Sequence, residues 1–429
     1  MTIDSGWMQI LKMGNPMAFT KNCPIIPKVV FIDGQIKLMK SDAIKTWESF
    51  IRCQFLCTIE RAFNLGGNIV VLGFDDYTHV PVAKNMTQRK RVQDVKVLEF
   101  TVDQELPSFI PDNWYGAIRN RYFKTKVIGK VIRELKFLYQ DETKKTVIID
   151  FMGMPTILGK KIELPDVFQK DELKRGECDI KAFAWAGLGD LLIESTDGDF
   201  MPLSTLQSFE SNHRIILHRM KTNLKSDTKI TGEKRKREYE YVCADKVKNF
   251  IDAEMNTDLS EGSEAKQPKH KAAKHSVNNF ACMVAAAGCD FTMNLPQIGP
   301  TKLWRFRTIA SKIDLTTDTG LLKFMVLIMT EQYKKHIPNK SHIEQQAHKA
   351  QTAKEVVDVY KLVVKNLKKN SKIAERTREA MWNEDRMHAH VLNVLWTVQY
   401  WTKLHHYPDP MSKNFGFEKK GNVYVFKAT

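Results

Sequence analysis

Two short β-branched runs, "KVVFIDGQ" (Lys28 to Gln35) and "NIVVLGFDD" (Asn68 to Asp76), each end at aspartate. Between them lies "AIKTWESFIRCQFLCTIERAF", whose apolar residues recur at helical spacing. A strand, an amphipathic helix and a second strand of this kind form a β–α–β unit, and that unit dictates a parallel sheet with helices packed on it. "TVIIDFMGMP" and "DLLIESTDGD" add two further strands, and "ECDIKAFAWAG" reads as a helix leading into the second of them. The expected fold class is therefore α/β, a mostly parallel central sheet flanked by helices. Ligands of such sheets collect at the carboxyl ends of the strands. Three strands here carry acid at that end: at Asp33, at Asp75 and Asp76, and at Asp197 and Asp199.

Acid at those positions contrasts with the chain as a whole, which carries 66 Lys and Arg against 50 Asp and Glu over 429 residues, a formal +16. Such an excess points to a polyanion, nucleic acid before an anionic membrane surface. The first residues, "MTIDSGWMQILKMGNP", hold no long apolar core, so neither a secretory signal nor a membrane span is readable, and an intracellular setting is expected. Seven scattered cysteines make no disulfide framework, and Cys53 and Cys57 are spaced for one helix face; all are expected to be free thiols.

The acids cluster most densely in "GECDIKAFAWAGLGDLLIESTDGD", where Glu177 and Asp179 open a helix and Asp197 and Asp199 follow a strand. Two unit charges about 4 Å apart repel by roughly 4 kcal/mol at an effective dielectric near 20, so converging pairs call for a cation. A ring of hard carboxylate oxygens suits Mg²⁺ or Mn²⁺, and a two-ion site suits phosphodiester chemistry. Taken singly, each pair reads equally as helix caps and loop acids.

The same residues resemble the flap structure-specific endonucleases of the XPG family, a 5′ nuclease group with a PIN-like core. The family's motif sets two acids one residue apart, then about eighteen residues on a second such pair after a strand; Asp179 and Asp197 stand eighteen apart. It implies an aspartate after the first strand, matched by Asp33, another in a "VFDG"-like motif, matched by Asp75, and a last one before a "GIGPK" turn. "AAAGCDFTMNLPQIGPTKLW" supplies the last, with Asp290 ten residues before Pro300. The resemblance thus implies a metal set of Asp33, Asp75, Glu177, Asp179, Asp197, Asp199 and Asp290 for two Mg²⁺ ions, with Mn²⁺ as substitute. Asp179 replaces a glutamate, and Asp76 stands where the family prefers glycine.

The family's phosphate-contacting lysine and arginine follow the "FD" aspartate by about seven and fourteen residues. Arg89 takes the second place; the first is Val82, with Lys84 the nearest lysine. "VNNFACMVAAAGCDFTMNLPQIGPTKLWRFRTIA" resembles the helix–two-turn–helix that grips duplex backbone, with Gly299, Pro300, Thr301, Lys302 and Arg305 at the contact and K⁺ held by turn carbonyls. Arg307 can add charge there. The expected organisation is a nuclease core over 1–251 with a basic helical gateway at about 84–140 rising off the sheet, a flexible insertion at 252–276, the helix–two-turn–helix region at 277–340, and a mainly helical extension at 341–429 with a final "NVYVF" strand. Tyr115, Tyr122 and Phe123 in the gateway read as core or as base-stacking residues, and Trp396 and Trp401 as packing residues. "KRKR" (Lys234 to Arg237) reads either as a nuclear import signal or as a DNA-facing hairpin tip. No sliding-clamp motif is readable, and a monomer is expected.

The activity implied is metal-dependent cleavage of DNA at single-strand/duplex junctions, by flap endonuclease with or without 5′–3′ exonuclease action, in the nucleus or another intracellular site of DNA replication, viral ones included. A related nuclease acting on RNA and a non-catalytic nucleic-acid-binding scaffold of the same fold are the alternatives.

Overall fold

The computed structural model describes residues 3–40, 43–75, 97–152, 155–169, 178–220, 238–256, 269–289, 292, 298–369, 383–402, 415, 417–420 and 423–426. These fall into two compact units, one within residues 18–245, the other within 3–17 and 246–426. The division falls at Met17 and at Asp245.

The first unit is built on an eight-stranded sheet: β1 (Phe19–Thr20), β2 (Val29–Asp33), β3 (Ile69–Gly73), β4 (Thr146–Asp150), β5 (Thr156–Gly159), β6 (Leu191–Glu194), β7 (Ile215–Met220) and β8 (Tyr239–Cys243). Their order is β1-β8-β7-β6-β2-β3-β4-β5. The five strands from β7 to β4 pair in parallel, while β5, β8 and β1 are antiparallel additions at the two edges. β2, β3 and β4 are buried at every position, as continuous apolar runs in a doubly covered sheet must be. From β2 the chain moves through β3 to β4 on one side, then returns to place β6 and β7 on the other. The carboxyl ends of β2, β3 and β6 therefore flank the point where strand order reverses, the place where such sheets hold ligands.

Helices cover the sheet because their apolar positions share a face. The helix Arg121–Tyr139 is capped by Asn120, whose side chain accepts from the amides of Tyr122 and Phe123, and it buries Phe123, Val127, Ile128, Val131 and Leu135. Those residues join Val70, Leu72, Val147 and Ile149 in one core. The described part of the basic region thus lies on the sheet, contrary to the expectation that it rises off it, because its apolar residues form a continuous stripe. Tyr115 and Tyr122 are exposed while Phe123 is wholly buried, so only the first two remain available for stacking. The amphipathic segment before β3 is interrupted by a π-helical turn, Arg52–Leu56, and Cys53 and Cys57 are exposed free thiols, as are the other five cysteines free.

The second unit is mainly helical. The helix Ala244–Asn256 extends into one end of the expected flexible segment and the helix Lys269–Ala286 covers the other, so residues 252–256 and 269–276 are ordered helix and 257–268 lie outside the described residues. Trp7, Phe280 and Trp304 meet edge to face at 5.3–6.4 Å. Trp396 and Trp401 are buried, and "NVYVF" forms Val423–Phe426 of a hairpin with Phe417–Lys420. No helix among the described residues is long and apolar enough to cross a membrane.

His390, on the helix Glu384–Thr402, is completely buried, and burial pushes its imidazole down to about 3 from 6.5. A histidine kept neutral in the fold takes up a proton on unfolding, so its share of stability is complete above about pH 6.5 and is lost as pH falls toward 3. Urea melts should show a loss on the order of 3 kcal/mol from this group between pH 7 and 4.5, and His390→Leu should flatten that part of the acid limb.

Candidate metal centre

Asp33 is the last residue of β2 and is almost completely buried. Its carboxylate accepts the Gln35 amide at 2.9 Å on one oxygen and the Ser195 hydroxyl at 3.0 Å on the other. Ser195 comes directly after β6, and its hydroxyl oxygen accepts the Asp197 amide at 3.1 Å; Asp197 in turn accepts the Asp199 amide at 3.2 Å. Burial, with Asp75 and Asp197 repelling from neighbouring strands, pushes the Asp33 carboxyl up to about 7 despite those hydrogen bonds. Asp33, Asp75 and Asp197, separated by up to 164 residues in sequence, therefore converge at the carboxyl edge of the sheet.

Asp75 follows β3, and two glycines set its surroundings. A Cβ on Gly73 would lie 2.3 Å from the Phe31 ring and 2.8 Å from the Cys178 sulfur, so glycine lets the helix Cys178–Ala184 close onto the sheet. A Cβ on Gly34 would lie 2.6 Å from the Gly73 carbonyl oxygen, so the turn after Asp33 also requires glycine. The Cys178 amide donates to Asp75 at 3.1 Å, and candidate ligand atoms of Asp75, Cys178 and Asp179 lie within 4.8 Å of one another. Burial, with Asp33, Asp179 and Asp75 around it, holds the Cys178 thiol well above its usual range and hence protonated. With the thiol protonated, the donors offered are the carboxylate oxygens of Asp75 and Asp179, a type that fits Mg²⁺ or Mn²⁺.

A fourth strand-end acid escapes the sequence reading. Asp150 closes β4, and Lys181, two residues after Asp179 on the same helix, binds it at 2.7 Å with both side chains almost wholly buried. Trp185 Nε1 donates to the second Asp150 oxygen at 3.3 Å. Burial opposes the Lys181 charge, but Asp150 more than compensates and raises its pKa above the ordinary value. "TVIID" carries the same signal as the other strands, a β-branched run closing on aspartate.

Of the remaining expected residues, Asp76, Lys84, Arg89, Glu177 and Asp290 lie outside the described residues, as does "KRKR". In the second unit Gly299 caps the short helix Pro300–Arg305, with Pro300 in its first turn and Thr301 and Arg305 exposed. Pro300 packs on Gly6, where a Cβ would come within 3.0 Å of its ring. Arg307 is already engaged, bound to Glu254 at 2.9 Å and stacked over Trp304 at 5.3 Å, which removes it from the expected surplus of charge. Fold and site together define an α/β protein with carboxylates gathered at the switch point of its sheet. No family model matches the chain, and no curated protein matches it significantly.

Proposed function

We propose that this chain is a metal-dependent, structure-specific 5′ nuclease with a PIN-like core, similar to flap endonucleases of the XPG family and acting on DNA where single strand meets duplex. The observation that carries this reading is the meeting of Asp33, Asp75 and Asp197 from three strand ends, where burial first, and the two neighbouring carboxylates with it, push the Asp33 carboxyl toward neutrality. Asp33, Asp75, Asp179, Asp197 and Asp199 would hold the ions, with Glu177 and Asp290 added on the strength of the motif. Bound there, a pair of Mg²⁺ ions supplies a water of lowered pKa and charge stabilisation for the leaving oxygen of a phosphodiester.

The chain's own groups orient that site. Ser195 holds Asp33 and the Asp197 backbone in one hydrogen-bonded line, and the Lys181–Asp150 pair fixes the helix that presents Asp179. Gly299, Pro300, Thr301, Lys302 and Arg305 would grip duplex backbone, with K⁺ at the turn, and Lys84 and Arg89 would steady the phosphate. Such a protein acts as a monomer at intracellular sites of DNA replication or repair, the nucleus among them.

The deciding experiment is cleavage of an end-labelled 5′-flap duplex with Mg²⁺ or EDTA, beside nicked, blunt and RNA-flap substrates. Mg²⁺-dependent cutting at the junction is expected. Asp197→Ala and Asp199→Ala should each lower the rate by about 10³-fold while flap binding persists. Tight binding with no cleavage of any substrate would instead establish a non-catalytic binding protein, and preference for the RNA flap would redirect the assignment to RNA.

A further inference from the structure

We propose that Lys37 and Arg61 hold a backbone phosphate of the nucleic-acid strand next to the one over the metal centre; this rests on the nuclease reading above. Lys37 ends the turn that begins at Asp33, and its ammonium binds Glu194 Oε1 at 2.8 Å. Arg61, on the helix Cys57–Asn64, binds the same oxygen. Glu194 pairs in register with Ile32, one residue before Asp33, and the next residue, Ser195, is the one that binds Asp33. Successive strand residues face opposite sides, so the cations and the acids occupy the two faces of one rim at the carboxyl ends of β2 and β6. A strand laid across that rim would meet the carboxylate cage on one side and the two cations on the other.

The cluster has the net charge of an anion site. Two cations share one carboxylate oxygen, leaving a net positive charge, and the Arg61 side chain is half exposed. The other oxygen, Glu194 Oε2, and His218 Nδ1 are buried 4.0 Å apart and have no hydrogen-bond partner among the described residues. His218 lies flat on Tyr241 at 4.5 Å and forms a rigid floor. Burial, with Arg61 and Lys37 beside it, lowers the His218 pKa below 6.5, so the ring adds no charge near neutral pH that would replace either cation. The two cations also hold Glu194 below the usual carboxylate range against the effect of its burial, so it stays ionised and keeps both in place. A guanidinium and an ammonium converging on one point provide a fork and a point charge, a combination suited to a phosphate.

Fluorescence anisotropy with a labelled 5′-flap DNA in EDTA, over a series of KCl concentrations, tests the assignment. Lys37→Gln and Arg61→Gln should each weaken binding about tenfold and lower the slope of log Kd against log salt by about one. Lys37→Arg should restore the slope, and thermal melts run in parallel confirm that the half-exposed Arg61 variant is folded. Unchanged affinity and slope with a lowered Tm would make the cluster a structural ion pair and overturn the proposal, as would a wild-type protein that does not bind the flap. Because these readings are made without metal, failure of the nuclease reading shows separately, as absence of Mg²⁺-dependent cleavage of the same flap by the wild type.

Discussion

Asp33→Asn should make the metal-free protein more stable at pH 8 than the wild type, and should abolish both cleavage and the stabilisation that Mg²⁺ brings. In the fold the Asp33 carboxyl titrates at about 7, against 3.8 when free. A raised acid favours folding while protonated, so its contribution is complete below about pH 4 and is lost as pH climbs through 7. Forcing the charge onto a group nine-tenths buried beside Asp75 and Asp197 costs on the order of 4 kcal/mol by pH 8. Urea titrations in EDTA should therefore show wild-type stability falling relative to that of Asp33→Asn between pH 5 and 8, the His390 contribution being common to both. Mg²⁺ should restore the wild type at pH 8, since the ion binds the ionised form and not the unfolded chain. A wild-type minus Asp33→Asn difference that does not change with pH would mean that Asp33 is already neutralised by the protein itself, leaving no need for a divalent ion.

The second large effect concerns the buried pair. Lys181→Met or Asp150→Asn alone strands a charge or a donor in the interior and should lower stability by about 3–5 kcal/mol. The double variant Asp150→Leu/Lys181→Met should recover most of that, because well-packed apolar residues replace a buried pair at little cost. Lys181 sits two residues from Asp179. The double variant should therefore regain its Tm and still bind Mg²⁺ more weakly by calorimetry, the carboxylate having lost the contact that fixes its helix. Full recovery of both would limit the pair to holding the fold together.

Much of the sheet was legible because its parallel strands open on short apolar runs, and the acids at Asp33, Asp75, Asp197 and Asp199 lie at or within five residues of strand ends. Asp150 was equally legible by the same rule, since "TVIID" closes on a single aspartate just as "VVFID" does. The edge strands β1 and β5, two and four residues long, are too short to display a period. The helix Arg121–Tyr139 was misplaced because its cations mask a stripe of five buried residues. Lys37 and Arg61 left no local trace, since Glu194, which gathers them, lies 157 and 133 residues away. Arg307 likewise reads as free charge until Glu254, 53 residues earlier, comes into view.

The pairing of β2 with β6 sets Ile32 against Glu194, and one position further on Asp33 faces Ser195. A slip of a single residue between these strands would turn every side chain of one of them over, sending Asp33 toward the apolar helices and Ile32 into the carboxylate cage. The ion-binding geometry is thus written into the backbone ladder. Deleting any one residue within β2 should erase the site while leaving composition, net charge and helix content almost untouched.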